Sequence, residues 1–164
     1  MIKMNKLGHS TRDQVVAWTF VTIQALLLVA IVMLPRDTSW VTGDLMRTIG
    51  SALFFAGVGL GIWSGVYLGR GLTPSPLPNG STELVVKGPY AFVRHPMYSA
   101  VITLSVGITF KSGSVAVLVA TVALVALFAV KARWEEAQLV LAFPGYEQYM
   151  EAKGRFLPGI GRKP

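Results

Sequence analysis

Long apolar runs alternate with short polar interruptions along the whole chain. From Val15 to Leu34 there is no charge, and Gln24 and a few threonines are the breaks in the pattern. A run of about 20 residues matches the hydrocarbon thickness of a bilayer, so this stretch predicts a spanning helix, ended by Pro35-Arg36-Asp37. A second apolar run, Thr48 to Leu68, carries Gly57, Gly61, Gly65 and Gly69 four residues apart, with Gly59 offset. Such a stripe lets another helix approach closely, and it would also permit a homodimer through Gly57, Gly61 and Gly65. A third run, 96–110, covers only about 22 Å as a helix, short of the ~30 Å core. Lys111-Ser112-Gly113 then turns the chain into a fourth run, 114–130. The last two runs read as a tight antiparallel hairpin that stops short of the far surface.

The fourth helix is expected to continue past the membrane through Leu141. Glu135 and Glu136 then lie about one turn above the bilayer edge, and Phe143-Pro144-Gly145 ends the helix. A short amphipathic helix follows around Tyr146–Lys153, lying against headgroups or folding over the preceding loop. The expected fold is thus an all-α integral membrane domain over 1–164, with four transmembrane helices (15–34, 48–68, 96–110, 114–130), a C-terminal helical hairpin and a cytosolic amphipathic tail.

Composition agrees. The 164 residues are 52% hydrophobic and 14% charged, with a mean hydropathy of +0.54, whereas soluble domains carry about 25% charge. The net charge of +7 would suggest nucleic acid in a soluble protein. Here the basic residues flank apolar runs, so orientation and anionic lipid explain them better. Twelve of the fifteen Lys and Arg fall on the side of the N-terminus, the long loop and the tail. The positive-inside rule places that side, with both termini, in the cytoplasm. Trp18 and Trp40 lie near the two expected interfaces. Cysteine is absent and there are two histidines, His9 and His95, which leaves no convincing metal cluster. The first run is too long for a signal peptide and is expected to be retained. No ionisable residue falls in the middle of a span, which argues against a transporter or channel.

The longest polar connection, 69–97, opens with a Gly/Pro-rich segment that cannot be helical. Leu84-Val85-Val86 is expected to be extended. The connection closes on Lys87-Gly88-Pro89-Tyr90-Ala91-Phe92-Val93-Arg94-His95-Pro96-Met97-Tyr98. Pro96 suits the first position of a helix. Arg94 and His95 then sit at a helix mouth with free amides and a positive dipole end, a place for an anionic group. The alternative is a turn at the membrane surface with an interfacial arginine. Both stand on these residues alone.

Gly88-Pro89-Tyr90, Arg94-His95-Pro96-Met97-Tyr98, the pair Glu135-Glu136, and Tyr146, Tyr149 and Arg155-Phe156-Leu157-Pro158 occur in this order. The set, from about Gly69 to Gly159, resembles the isoprenylcysteine carboxyl methyltransferases and the related phospholipid N-methyltransferases. That resemblance implies an S-adenosylmethionine-dependent membrane enzyme with a lipophilic acceptor. It implies cofactor contacts at Gly88, Tyr90, Arg94, His95, Pro96, Tyr98, Glu135 and Glu136. It implies catalytic roles among Arg94, His95, Glu135 and Lys131, and acceptor contacts at Tyr146, Tyr149 and Arg155. Gly57-Val58-Gly59 and Gly59-Leu60-Gly61 are weak matches to a GxG cofactor element. Lys131 stands where family members often carry arginine, and lysine holds a carboxylate only as a point charge. A glutamate suits the cofactor's ammonium or ribose, Arg94 its carboxylate, and His95 or the free glutamate would deprotonate an amine acceptor.

Each residue alone has a plainer account. Glu135 and Glu136 would pair with Lys131 and Arg133 on a solvated helix, the tyrosines would be interfacial, and Arg155 would meet lipid phosphate. Two competing readings also stand. One is a sterol-reductase-like membrane enzyme using NADPH. The other is a non-catalytic membrane protein packed through its glycine stripe.

Overall fold

In the computed structural model the described residues are 10–36, 39–69 and 84–163. The basic N-terminal residues 1–9 and the Gly/Pro-rich segment 70–83 lie outside them. Five α-helices run in order: α1 Thr11–Met33, α2 Asp44–Leu68, α3 Pro96–Ser112, α4 Val115–Ala142 and α5 Tyr146–Ala152, with a 3-10 turn, Gly88–Ala91, before α3.

Local chemistry sets the ends. Ser10 caps α1 by accepting from the Asp13 amide at 3.2 Å, while Asp13 accepts from the Ser10 amide, a reciprocal box that satisfies two orphan donors. Pro96 opens α3 at its first position as expected. Gly113 closes α3 in the left-handed region, φ +63°, which glycine adopts without a Cβ penalty. Leu84-Val85-Val86 pairs with no strand among the described residues.

Among the described residues three helices, α1, α2 and α4, are long and apolar enough to cross a membrane, where four were expected. With 17 residues, α3 extends two past the expected end at 110 yet covers only about 25 Å. Its sequence interleaves Ser99, Thr103, Ser105 and Thr109 with apolar residues. The Ser99, Thr103 and Thr109 hydroxyls bond back to carbonyls four residues earlier, and the Thr109 Oγ1 also lies 2.9 Å from that of Thr121 on α4, while the buried Ser105 hydroxyl has no partner among the described residues. The bonded hydroxyls are satisfied within the bundle, which is how such groups are tolerated in an apolar setting.

The α2–α3 seam is the most extensive helix contact. A Cβ at Gly57 would lie 2.6 Å from the Leu104 amide nitrogen, and one at Gly107 would lie 2.6 Å from that of Phe54. A Cβ at Gly61 would lie 3.7 Å from that of Ala100, whereas Gly59 and Gly65 face open space. The stripe expected to serve a homodimer is therefore used inside the chain at Gly57 and Gly61. The tightest contacts follow a seven-residue repeat, Gly50 and Gly57, continued by buried Ser64. Seven residues are close to two helical turns, so these positions stay on one face.

On the other side, Ile31 of α1 packs with Val117, Ala120, Leu124 and Phe128 of α4. Large apolar side chains on the outer faces stay exposed, among them Leu26, Val29, Phe55, Ile62, Val66, Val119 and Val122. In a bilayer that surface meets lipid, so its exposure costs nothing. The Trp40 amide donates to the Gly113 carbonyl at 3.2 Å, joining the connection after α1 to the α3–α4 turn. The start of α3 and the end of α4 consequently share the opposite end of the bundle.

Candidate functional site

That opposite end carries a polar cap built from the 3-10 turn, the first turn of α3, the last turns of α4, and the chain after α5. Gly88 opens it at φ +60°, and the Tyr67 ring packs where a Cβ would be, at 2.6 Å. Only glycine meets both demands. Next to it, the Arg94 and His95 amides donate to the Gly154 and Arg155 carbonyls at 2.9 and 3.0 Å, and Ser99 Oγ donates to the Phe156 carbonyl at 2.6 Å. The tail is thereby laid as an extended strap along the start of α3.

Arg94 is the clasp. Its Nε donates to Glu136 Oε1 at 2.9 Å, its Nη1 to the Met150 and Lys153 carbonyls, and its Nη2 to the Gly161 carbonyl at 2.8 Å. The residue is 4% exposed. Three of its N–H groups hold the tail and a fourth holds Glu136, so in this structure it does not present the open anion site expected at the helix mouth.

The two adjacent glutamates have different surroundings. Glu136 is buried and accepts from Arg94. It also takes a two-pronged grip from Arg155, Nε at 3.1 Å and Nη2 at 2.8 Å, and sits 3.1 Å from His95 Nε2. Burial alone would raise its carboxyl. Hydrogen bonds from His95 and Arg155, with the charges of His95 and Arg94, outweigh burial and hold it at about 2. This residue lies on α4 beyond the apolar run that ends at Val130. Glu135 faces the other way. Its Oε2 accepts from the Tyr98 hydroxyl at 2.7 Å and lies 3.8 Å from His95 Nδ1. Its side chain keeps 20% of its surface open, and Oε1 has no partner among the described residues.

His95 lies between the two carboxylates. Its ring stacks on Tyr98 at 5.2 Å, Tyr98 stacks on Phe128 at 4.6 Å, and Phe156 meets both His95 and Tyr98 at an angle. Lys131 Nζ lies 5.2 Å from the Tyr98 centroid and donates to Gln24 Oε1 of α1 at 2.7 Å.

The structure thus gathers Arg94, His95, Pro96, Tyr98, Lys131, Glu135, Glu136 and Arg155 at one place. The remaining candidates sit around it. Tyr146 is buried with Ala142 and Phe143. The Tyr149 hydroxyl donates to the Tyr90 carbonyl at 2.5 Å, fastening α5 to the turn. Burial and the Glu135 charge push the Tyr90 phenol up to about 12, so it stays neutral. Tyr146 and Tyr149, expected at the acceptor, are spent on packing and on this tie. Of the GxG matches, Gly57 and Gly61 belong to the α2–α3 seam, and Gly59 faces outward. Sequence reasoning passed over Gln24 as a mere interruption and left Phe128 unremarked. An amide in an uncharged span was the available signal for the first.

The curated "Nickel-cobalt-cadmium resistance protein NccN" of Alcaligenes xylosoxydans xylosoxydans is 26% identical over 152 residues, covering 92% of this chain and 67% of that protein. A family model described as phospholipid methyltransferase matches residues 45–144, from the start of α2 through the end of α4, and includes Arg94, His95, Glu135 and Glu136. The match spans more than half of the chain, and the chain belongs to the phospholipid methyltransferase family, whose members are membrane methyltransferases.

Proposed function

We propose that this protein transfers a methyl group from S-adenosylmethionine to a lipophilic acceptor at the cytosolic face of the membrane. The observation that carries the reading is Glu135. Among the described residues it is the one carboxylate of the cap with a free oxygen, positioned by Tyr98 and His95 where the helical bundle ends.

The residues present suit that cofactor. Glu135 would receive its ammonium or ribose hydroxyls, and Arg155, the cluster's partly open cation with 21% of its side chain exposed, would face its carboxylate. Bound there, S-adenosylmethionine supplies an electrophilic methyl on a sulfonium. The chain's own work is positioning and exclusion of water. Arg94 and Glu136 hold the strap, while Phe156, Tyr98 and Phe128 wall the site with apolar surface, and fixed geometry is a large part of what a displacement reaction needs.

The acceptor is proposed as an isoprenylcysteine-like carboxylate or an ethanolamine phospholipid. A carboxylate needs no base. An amine must lose a proton, and with Glu135 on the cofactor, the adjacent His95 is the acceptor for it. The side of the membrane follows from the positive-inside count. Metal resistance belongs to the relative's name. Among the described residues no group of three His, Asp or Glu side chains is placed to hold a metal ion.

The test is methyl transfer from radiolabelled S-adenosylmethionine to a membrane lipid extract, with a prenylcysteine and phosphatidylethanolamine added in separate arms. Label in the lipid phase is the expected result. No label in any arm from folded protein, with binding of NADPH instead, would overturn the reading.

A further inference from the structure

We propose that Gln24 is a positioning residue of the site. It holds the Lys131 ammonium over the Tyr98 ring and so makes α1, which precedes the family-matched segment, part of the catalytic machinery. The proposal rests on the methyltransferase reading above.

Gln24 is the one amide in the uncharged run of α1. Burying an amide in an apolar setting costs several kcal/mol unless it is bonded. Here its Oε1 accepts from Lys131 Nζ at 2.7 Å, which fixes the amide with its oxygen toward α4. Lys131 is 3% exposed, and among the described residues it joins no ion pair with a carboxylate. Its other neighbour is the face of Tyr98. A buried ammonium held by a neutral acceptor and an aromatic face keeps its charge uncancelled. The ring it faces carries the hydroxyl that donates to Glu135 and stacks on His95. Gln24, Lys131, Tyr98 and Glu135 form one line of contacts from α1 to the open carboxylate oxygen.

A simple helix tie would explain the same 2.7 Å bond. However, Phe20 already packs on Trp134 at 5.9 Å, one turn along the same α1–α4 face. The two roles differ in what they tolerate. A tie is served as well by glutamate, which would form an ion pair with Lys131. A positioning role is not, because the new carboxylate neutralises the ammonium and draws it off the ring.

The experiment uses the full chain in detergent and lipid extract. It measures thermal unfolding, S-adenosylmethionine binding by calorimetry, and S-adenosylhomocysteine release at saturating cofactor. Gln24→Glu is expected to unfold within a few degrees of the parent and to bind cofactor, with kcat at least tenfold lower. Gln24→Met is expected to lose as much. In a Lys131→Met background, Gln24→Met is expected to change turnover less than twofold, and this apolar pair keeps the seam packed if Gln24→Met alone does not fold. Parental turnover in Gln24→Glu, or a further tenfold loss in the double variant, would overturn the proposal and leave the methyltransferase reading intact. A folded parent that neither binds S-adenosylmethionine nor releases S-adenosylhomocysteine would overturn both.

Discussion

The α2–α3 seam and the polar cap are both tightly built, but by opposite means. The seam has almost no side chain at its closest points. Gly50, Gly57 and Gly107 let backbones touch, and the contact is van der Waals in kind. The cap is nearly all side chain: two arginines, a histidine and a glutamate bonded to one another and to tail carbonyls. The seam should therefore respond to volume and ignore charge, and the cap should do the reverse. Since the cap folds the tail over the start of α3, chemistry that depends on charge sits on a scaffold that does not.

The largest expected effect is in the cap. Glu136→Ala leaves Arg94 and Arg155 facing each other without their shared anion, and loss of a buried partner of this kind costs about 3–5 kcal/mol. Denaturant unfolding in detergent measures it, and a cost below about 1 kcal/mol would mean that the cap is not held by charge. At the seam, Gly57→Leu forces a side chain into the Leu104 backbone. It should cost about 3 kcal/mol or fail to fold, while the equally bulky Gly65→Leu, on the open face, should be tolerated.

Acid should separate the two regions without mutation. The Glu136 carboxyl is lowered from 4.5 to about 2. Its contribution, about 3 kcal/mol by linkage, is fully present above about pH 4.5 and is lost as pH falls through 2. Unfolding followed between these values should show the tail releasing to protease before the helices lose ellipticity. The same acid dependence in Glu136→Gln would assign the effect elsewhere. The smallest effect is Tyr149→Phe. It removes one hydrogen bond to the Tyr90 carbonyl and should cost about 1 kcal/mol, read as a small shift in unfolding midpoint.

How much of this was legible in the sequence divides along the same line. Helix positions followed from apolar runs and their punctuation. Pro96 and Phe143-Pro144-Gly145 mark ends that the structure keeps. The shortness of α3 was readable from its length, although it lowers the number of spanning-length helices from four to three. The convergence of Arg94, His95 and the glutamates followed from hairpin topology. The direction of each side chain did not. Glu135 and Glu136 are identical in type and adjacent. Only the neighbouring chains decide that one is enclosed by Arg94 and Arg155 while the other meets Tyr98. The acceptors of Arg94 are backbone carbonyls of Met150, Lys153 and Gly161, which no residue pattern announces. The glycine stripe was visible, but four-residue spacing pointed to a longer face than the seven-residue contact that α3 uses.

In the proposed cofactor site Glu135 binds and Glu136 builds. Calorimetric titration of detergent-purified parent and Glu135→Gln with S-adenosylmethionine tests it most directly. Expected are binding by the parent, at least tenfold weaker binding by Glu135→Gln, and an unfolding midpoint unchanged between the two. Equal affinity in both proteins, or no binding by a folded parent, would contradict it.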